Sequence, residues 1–371
     1  MLRIATIGTS MIAENFIEVV QASPDATFVG TLSRDAERAA AFTEGHGGTL
    51  PFTDLEALAT SPDVDAVYIG SPNALHHDQA LACIAGGKHV LVEKPFCATA
   101  DEAQEVFDSA QEAGVVALEA MRPLHDPAFH TCEDALAELG RIRRACLHFG
   151  KYSSRYDDLL AGRHTNIFDC EMASGALMDI GVYSVEPMVE MFGVPSSIIC
   201  AGALLDPETH ELTHGPIDGA GTIMAVYGDT LVELHFSKIT NDLLPSQVEA
   251  EDATLTIDKI STPEHARIDF RGKAVRNAAK KGYSAIDTSS RELNLPACDN
   301  TMAYELADFV RAIGNAPATV TAGDEIWASM ANDRKPLGHY RDVTLVSLSI
   351  MDEARRQMGV SFPADSERNA G

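Results

Sequence analysis

At 371 residues the chain is too long for one typical hydrophobic core, and two domains are expected. Its 45% hydrophobic and 22% charged residues describe a globular protein, and no apolar run reaches the roughly 18 to 20 residues that cross a bilayer. Acidic residues outnumber basic ones by 55 to 28, a formal charge of −27 that repels phosphate backbones and anionic membranes, so neither nucleic acid nor a membrane is an expected partner.

Met1-Leu2-Arg3-Ile4-Ala5 enters a strand pattern directly, with no basic leader or small-residue cleavage site, and the expected location is the cytoplasm. Over the first 120 or so residues, short apolar runs at 2–8, 27–32, 66–70, 89–92 and 115–118 alternate with helical patterns at 12–22, 35–44, 75–85 and 100–113. Strands rich in Val, Ile and Ala on both faces, separated by helices, predict a parallel sheet covered on both sides. This α/β Rossmann domain is expected over residues 1–121.

From residue 122 to 371 the rhythm changes to an α+β domain with a large, mostly antiparallel open sheet. Strands are predicted at 142–150, 197–205, 222–227, 231–237 and 253–257, with Gly228-Asp229 as a hairpin turn. Helices are predicted at 175–192, 304–313 and 344–358, the last of which could pack back on the first domain. Pro187 should kink the first of these at the Tyr183 carbonyl. Residues 261–291 read as a mobile loop with a strand or two, and 364–371 as a frayed tail. The seven cysteines form no C-x-x-C pair, so neither a disulfide framework nor a zinc site is expected, and they read as reduced core residues.

The first strand ends in Gly8-Thr9-Ser10-Met11-Ile12-Ala13. Against the dinucleotide fingerprint G-x-G-x-x-G/A, the first glycine and the final alanine are present, and Ser10 replaces the middle glycine. A strand before it and a helix N-terminus after it suit a pyrophosphate, although an ordinary βα turn has the same shape. The second strand runs into Ser33-Arg34-Asp35. Ser33, Arg34 and Arg38 make a grip for the 2′-phosphate of NADP, while Asp35 caps the next helix. NADP is therefore preferred, with NAD possible because Arg34 could instead stack on adenine. Ser71-Pro72-Asn73 with His76, and Glu93-Lys94-Pro95, sit at carboxyl ends of parallel strands, where ligands of such sheets bind.

These segments are joined by Glu119-Ala120-Met121-Arg122, by Gly175-Ala176-Leu177-Met178-Asp179-Ile180-Gly181-Val182-Tyr183 and by Gly359-Val360-Ser361-Phe362-Pro363. Together the chain resembles, over nearly its whole length, the glucose–fructose oxidoreductase, inositol dehydrogenase and rhizopine catabolism (Gfo/Idh/MocA) family. The resemblance implies a catalytic lysine at Lys94, a helix of the second domain facing the nicotinamide, and a homodimer or dimer of dimers formed through the second sheet. Asp179 and Tyr183, four residues apart, share one helix face. Lys94 or Tyr183 could take the alcohol proton as hydride leaves carbon, with Asp179 orienting the lysine or the substrate. A lysine beside the cationic ring of the oxidised cofactor is expected to have a lowered pKa.

Inositol dehydrogenase-like members carry His where this chain has Tyr183, which favours a sugar or diol substrate, as in the dihydrodiol dehydrogenase branch, over a cyclitol. Arg122 is placed at the cofactor. Arg155 either contacts a sugar hydroxyl or the cofactor, or pairs with Asp157 or Asp158. His76 is assigned to the cofactor side, and His76-His77 is not read as a metal site because adjacent helical side chains diverge and no carboxylate cluster accompanies them. The expected activity is hydride transfer between NADP(H) or NAD(H) and a hydroxyl or carbonyl carbon of a sugar, polyol or diol. A dinucleotide-binding sensor without turnover and an NAD-dependent glycosidase are the alternatives.

Overall fold

Runs too apolar for a water-facing strand form the centre of the first sheet: Ala66–Ile69 and Ala117–Ala120 are buried at every position. The computed structural model describes residues 1–277, 282–286, 288–314 and 335–367. In it β1 (Leu2–Ile7), β2 (Ala26–Leu32), β3 (Ala66–Ile69), β4 (His89–Glu93) and β5 (Ala117–Ala120) make a parallel sheet of order 2-1-3-4-5. The order reverses between β1 and β3, so the loops leaving β1, β3 and β4 open along one edge, the usual place for a ligand.

Helices α1 (Met11–Ala22), α2 (Ala36–Gly45), α3 (His76–Ala85) and α4 (Ala100–Ala113) lie in the connections. The start of α4 follows from its sequence: Thr99 accepts from the Glu102 N–H, and the Glu102 carboxylate accepts from the Ala98 N–H. Its end is Gly114 in the left-handed region at φ 68°.

The second sheet has eight strands in the order 15-12-11-10-6-9-8-7. They are β6 (Ile142–Gly150), β7 (Ser197–Leu204), β8 (Asp218–Tyr227), β9 (Thr230–Ser237), β10 (Ser246–Ala250), β11 (Ala253–Ile257), β12 (Ala266–Phe270) and β15 (Ser289–Glu292). The β6–β9 ladder is parallel and the others are antiparallel. Strand β9 shows the reason for a one-sided sheet. Val232, Leu234 and Phe236 are buried under α5 (Val182–Phe192), while Glu233 and His235 alternate outward with Cys146 and His148 of β6.

Several expectations need correction. The stretch 261–291 holds strands rather than mainly loop: β12 and β15 extend the large sheet, and β13 (Lys273–Asn277) pairs with β14 (Gly282–Ile286). The buried Ala266 and Ile268 alternate with Arg267 and Asp269, a pattern too short to stand out among polar neighbours. Of the expected tail, Ala364–Glu367 forms a helical turn held by Asp365, which bonds Arg355 at 2.7 Å, and 368–371 lie outside the described residues. The helix carrying Pro187 continues across it from Val182 to Phe192, and the departure from α geometry comes earlier, in a π turn at Leu177–Gly181. Four cysteines are buried as expected, whereas Cys146, Cys200 and Cys298 are half-buried, and all seven are free.

Helix α6 (Met302–Ile313) packs on α1 and β5. Helix α7 (Leu337–Met358) touches α4 and β5 on one side and α5 and β7 on the other, joining the two sheets. Among the described residues no helix is long and apolar enough to cross a membrane.

Candidate active site

The loop after β1 turns at Gly8, whose φ is +106° and whose missing Cβ would lie 2.8 Å from the Gly70 carbonyl oxygen. Any other residue would block the exit loop of β3 that passes there. Ser10 then caps α1 in an extended conformation without a side-chain capping bond, leaving its hydroxyl and the first-turn N–H groups open to an anion. Met11 beside it is 74% exposed, and Ile12 packs inward against the core. At the end of β2, Asp35 caps α2 by accepting from the Arg38 N–H at 3.0 Å, as its position predicts. Arg38 reaches back to the Thr9 carbonyl at 3.4 Å, and Arg34 is exposed next to the half-buried Ser33. Of the expected phosphate grip, Arg38 thus reaches the Gly8 turn, and Ser33 and Arg34 follow Leu32, whose carbonyl accepts from the Gly8 N–H at 3.2 Å.

At the end of β4, Glu93 is buried and accepts from the Tyr68 hydroxyl at 2.5 Å, and the Lys94–Pro95 peptide is cis. Lys94 crosses to the second domain, where its Nζ donates to the Asp179 carbonyl at 2.6 Å and to Asp179 Oδ1 at 3.2 Å. The same Nζ lies 4.9 Å from the centroid of the Tyr183 ring, whose edge packs on Phe149. Asp179 belongs to the π turn, in which the Val182 N–H reaches the Leu177 carbonyl. Such a wider turn takes carbonyls off the regular ladder, and here the Asp179 carbonyl faces the lysine. The buried Asp218 holds the start of this turn, accepting from the Leu177 N–H at 2.6 Å.

The remaining oxygen of Asp179, Oδ2, pairs with Lys238, just past β9. This lysine was missed in the sequence. Nothing in Leu231-Val232-Glu233-Leu234-His235-Phe236-Ser237-Lys238 separates it from an ordinary surface lysine after a strand.

Burial alone would raise the Asp179 carboxyl, but Lys94 and Lys238 outweigh it and hold its pKa at about 2. A depressed carboxyl contributes stability above its unfolded pKa and loses it as pH falls through the folded value. The stability advantage of the wild type over Asp179→Asn should therefore shrink by about 2 kcal/mol between pH 5 and pH 2, as read by urea unfolding. A pH-independent difference would contradict the ion pair.

For Lys94 the expectation of a lowered pKa is overturned in the chain by itself. Burial pulls it down, but Tyr183, Asp179 and Glu93 outweigh that and set it above the ordinary lysine value. The sequence reading weighed only the charge of the cofactor ring, whereas the protein surrounds the amine with acidic groups. Burial likewise raises the Tyr183 phenol against the pull of Lys94.

The supporting residues sort by what they touch. His76 is fully buried, with its ring nitrogens facing the Pro95 carbonyl at 3.0 Å and the Ser71 carbonyl at 2.9 Å. It braces the two cofactor-side loops, and with both ring nitrogens so engaged its cofactor-side role is packing rather than hydrogen bonding. Ser71 donates to Gln79, and Asn73 donates across the cleft to the Ala173 carbonyl at 2.8 Å. Pro72 and Asn73 line a cavity of about 100 Å³ with Asn166, Ile167, Met172, Ser174 and Asp179, so it borders the lysine's partner from both domains. Glu119 accepts from the Phe96 N–H at 2.7 Å and from Thr344 at 2.6 Å, tying the Lys94 loop to α7.

Arg122 lies among Glu305, Tyr183, Glu93 and Tyr68 and lines a larger cavity of about 750 Å³ with Asn15 and Glu18 of α1. Glu305 of α6 is fully buried, and its carboxyl is raised well above the usual range by burial and by Glu93.

Arg155 is not brought to this site. It is exposed and pairs at 3.4 Å with Asp158, which also binds Arg163, so the ion-pair alternative is the one realised. His76 and His77 diverge as expected. His77 nevertheless meets two carboxylates, Asp78 at 3.0 Å and Glu105 at 3.1 Å, on the surface. Two other groups bring metal-type donors together: His164, Asp169 and His214, and His130, Glu133 and Glu190. In the second of these Lys335 already bridges the two carboxylates, at 3.0 and 2.7 Å.

A nucleotide-binding turn on a parallel sheet, facing a lysine–carboxylate pair that spans two domains, defines a two-domain nicotinamide oxidoreductase. The model of the oxidoreductase family with an NAD-binding Rossmann fold matches residues 2–120. Scyllo-inositol 2-dehydrogenase (NADP(+)) IolU of Bacillus subtilis is 35% identical over 365 residues, 98% of this chain and 99% of that protein. An uncharacterised oxidoreductase of Escherichia coli, YgjR, is 31% identical over 366 residues, 99% of each. The chain thus belongs to the Gfo/Idh/MocA oxidoreductase family. The fold is shared with the 3-ketoreductase KijD10 of Actinomadura kijaniata, solved with NADP and TDP-benzene, at a TM-score of 0.76 and 22% identity over 96% of this chain and 98% of that one.

Proposed function

We propose that the chain transfers hydride between NADP(H) and a hydroxyl-bearing or carbonyl carbon of a polyol, sugar or related diol, with the proton handled by Lys94. The observation that carries this is the Lys94 amine, held by Asp179 beside Tyr183 at the edge of a cavity shared by both domains. A bound nicotinamide supplies the hydride acceptor or donor, and the chain supplies the rest. Gly8, Thr9, Ser10, Met11 and Ile12 form the turn and helix start that hold the pyrophosphate. Ser33, Arg34 and Arg38 hold the 2′-phosphate. Ser71, Pro72, Asn73, Glu93 and Arg122 shape the nicotinamide side, braced by His76.

In oxidation the alcohol proton passes to the neutral amine of Lys94. In reduction the ammonium returns it to the nascent alkoxide. Asp179 orients the amine, and Tyr183 closes the pocket with a neutral phenol able to bond the same oxygen. A cyclitol stays within the proposed substrate range, because a relative matching end to end is a scyllo-inositol 2-dehydrogenase. Self-association is assigned to the outward face of the second sheet, around the stacked His148 and His235 that α5 leaves uncovered.

The test is a fluorescence titration with NADPH and NADH. Arg34→Ala should weaken NADPH binding by about 10- to 100-fold, the loss of one charge-assisted phosphate contact, and leave NADH unchanged. Tighter binding of NADH, unaffected by Arg34→Ala, would point to NAD. If neither binds, the proposal fails.

A further inference from the structure

Lys238 has no counterpart among the residues that the sequence assigned to the site, yet it holds half of the Asp179 carboxylate. Lys94 takes Oδ1 and the carbonyl oxygen, and Lys238 takes Oδ2, so one anion is shared by two cations arriving from different domains. Their side chains are only 13% and 12% exposed, which keeps both charges where water screens them weakly. The mount of Lys238 is firm. Its N–H donates to the Gly219 carbonyl at 2.9 Å, and its carbonyl accepts from the Ser153 N–H at 2.9 Å. The neighbouring Ser237 is bonded to Thr240 at 2.7 Å.

The other titratable groups facing Lys94 are Glu93 on the first sheet, Tyr183 on α5 and the buried His76, while Arg122, Tyr68 and Glu305 lie beyond them around Glu93 and Tyr183. Burial holds the Glu305 carboxyl well above its usual range, and the carboxylate bonded to Lys94 is that of Asp179. An amine paired alone with a carboxylate in such a cleft would be held as an ammonium more tightly still.

We propose that Lys238 is a positioning residue for the proton transfer: by engaging one oxygen of Asp179 and placing a second positive charge near Lys94, it weakens the hold of Asp179 on the Lys94 proton. The role in catalysis rests on the reading of Lys94 given above. The coupling of the two lysines through Asp179 can be measured without any substrate.

The measurement is trace labelling of the full-length chain with acetic anhydride at pH 9, which acylates only neutral amines. Lys94 is quantified by peptide mass spectrometry against the exposed Lys151. Lys238→Met should slow the labelling of Lys94 at least tenfold, Lys238→Gln should do the same, and Lys238→Arg should stay within about threefold of the wild type. A mere loosening of the cleft would speed labelling, the opposite sign. NADPH titration of the same variants checks that each is folded. The proposal is overturned if Lys94 labels equally in the wild type and in either neutral variant. If the wild type labels as expected but binds no nucleotide, the functional reading fails while the lysine coupling stands.

Discussion

Lys94→Ala should leave NADPH affinity within about threefold of the wild type while lowering turnover by about 100- to 10,000-fold on whichever polyol or sugar the wild type oxidises. The amine reaches into the second domain, where it meets Asp179 at 2.6 and 3.2 Å. Its removal takes away the proton carrier and leaves Gly8, Ser10 and the arginines at the end of β2 untouched. Lys94→Arg should be as inactive as the alanine variant, because a guanidinium keeps the charge but cannot give up its proton near neutral pH. Steady-state rates with a parallel fluorescence titration decide the matter. An alanine variant that turns over at near wild-type rate would move the proton to Tyr183, and one that loses nucleotide binding would place Lys94 in the cofactor cradle alone.

The largest structural effect should come from Arg355→Ala, a loss of about 3 to 5 kcal/mol of unfolding free energy. Arg355 is 1% exposed, among the largest fully buried side chains, and lies on α7, the helix that joins the two sheets. Its guanidinium bonds Asp365 at 2.7 and 2.9 Å and Asp352 at 2.7 Å, and stacks on Phe362 at 4.1 Å from the ring centroid. Asp352 in turn accepts from the Ala100 N–H at the start of α4. Alanine would leave these carboxylates in a poorly hydrated pocket without this cation, a heavier cost than the lost contacts themselves. Urea unfolding should show a lower midpoint with an unchanged slope, and Arg355→Lys should recover part of it. A change below about 1 kcal/mol would mean that water reaches the carboxylates and replaces the guanidinium.

Much of the first domain could be read in chain order, because its information is local. A strand covered on both faces must be apolar at successive positions, as Ala66–Ile69 is, and a helix start shows its cap and acidic first turn, as Thr99 to Glu102 do. Gly8, Lys94, Asp179 and Tyr183 were legible because they sit in short contiguous motifs at strand and helix ends, and the fold brings the last three together. The alternation of β12 was hidden within a few polar residues, and nothing local distinguished the π turn at Leu177–Gly181 from a continuing helix.

The sequence alone thus determined the parallel sheet and its candidate ligand-facing loops, and the family resemblance singled out Lys94 beside Asp179 and Tyr183 as the candidate site. Only the tertiary structure decided which charges meet. Lys238 reached Asp179, and His76 was turned inward onto two carbonyls. The physical reason is that hydrophobic periodicity and capping act within a few residues, whereas an ion pair depends on distance in space. Residues far apart in the chain acquire that distance only when the second sheet closes on the first.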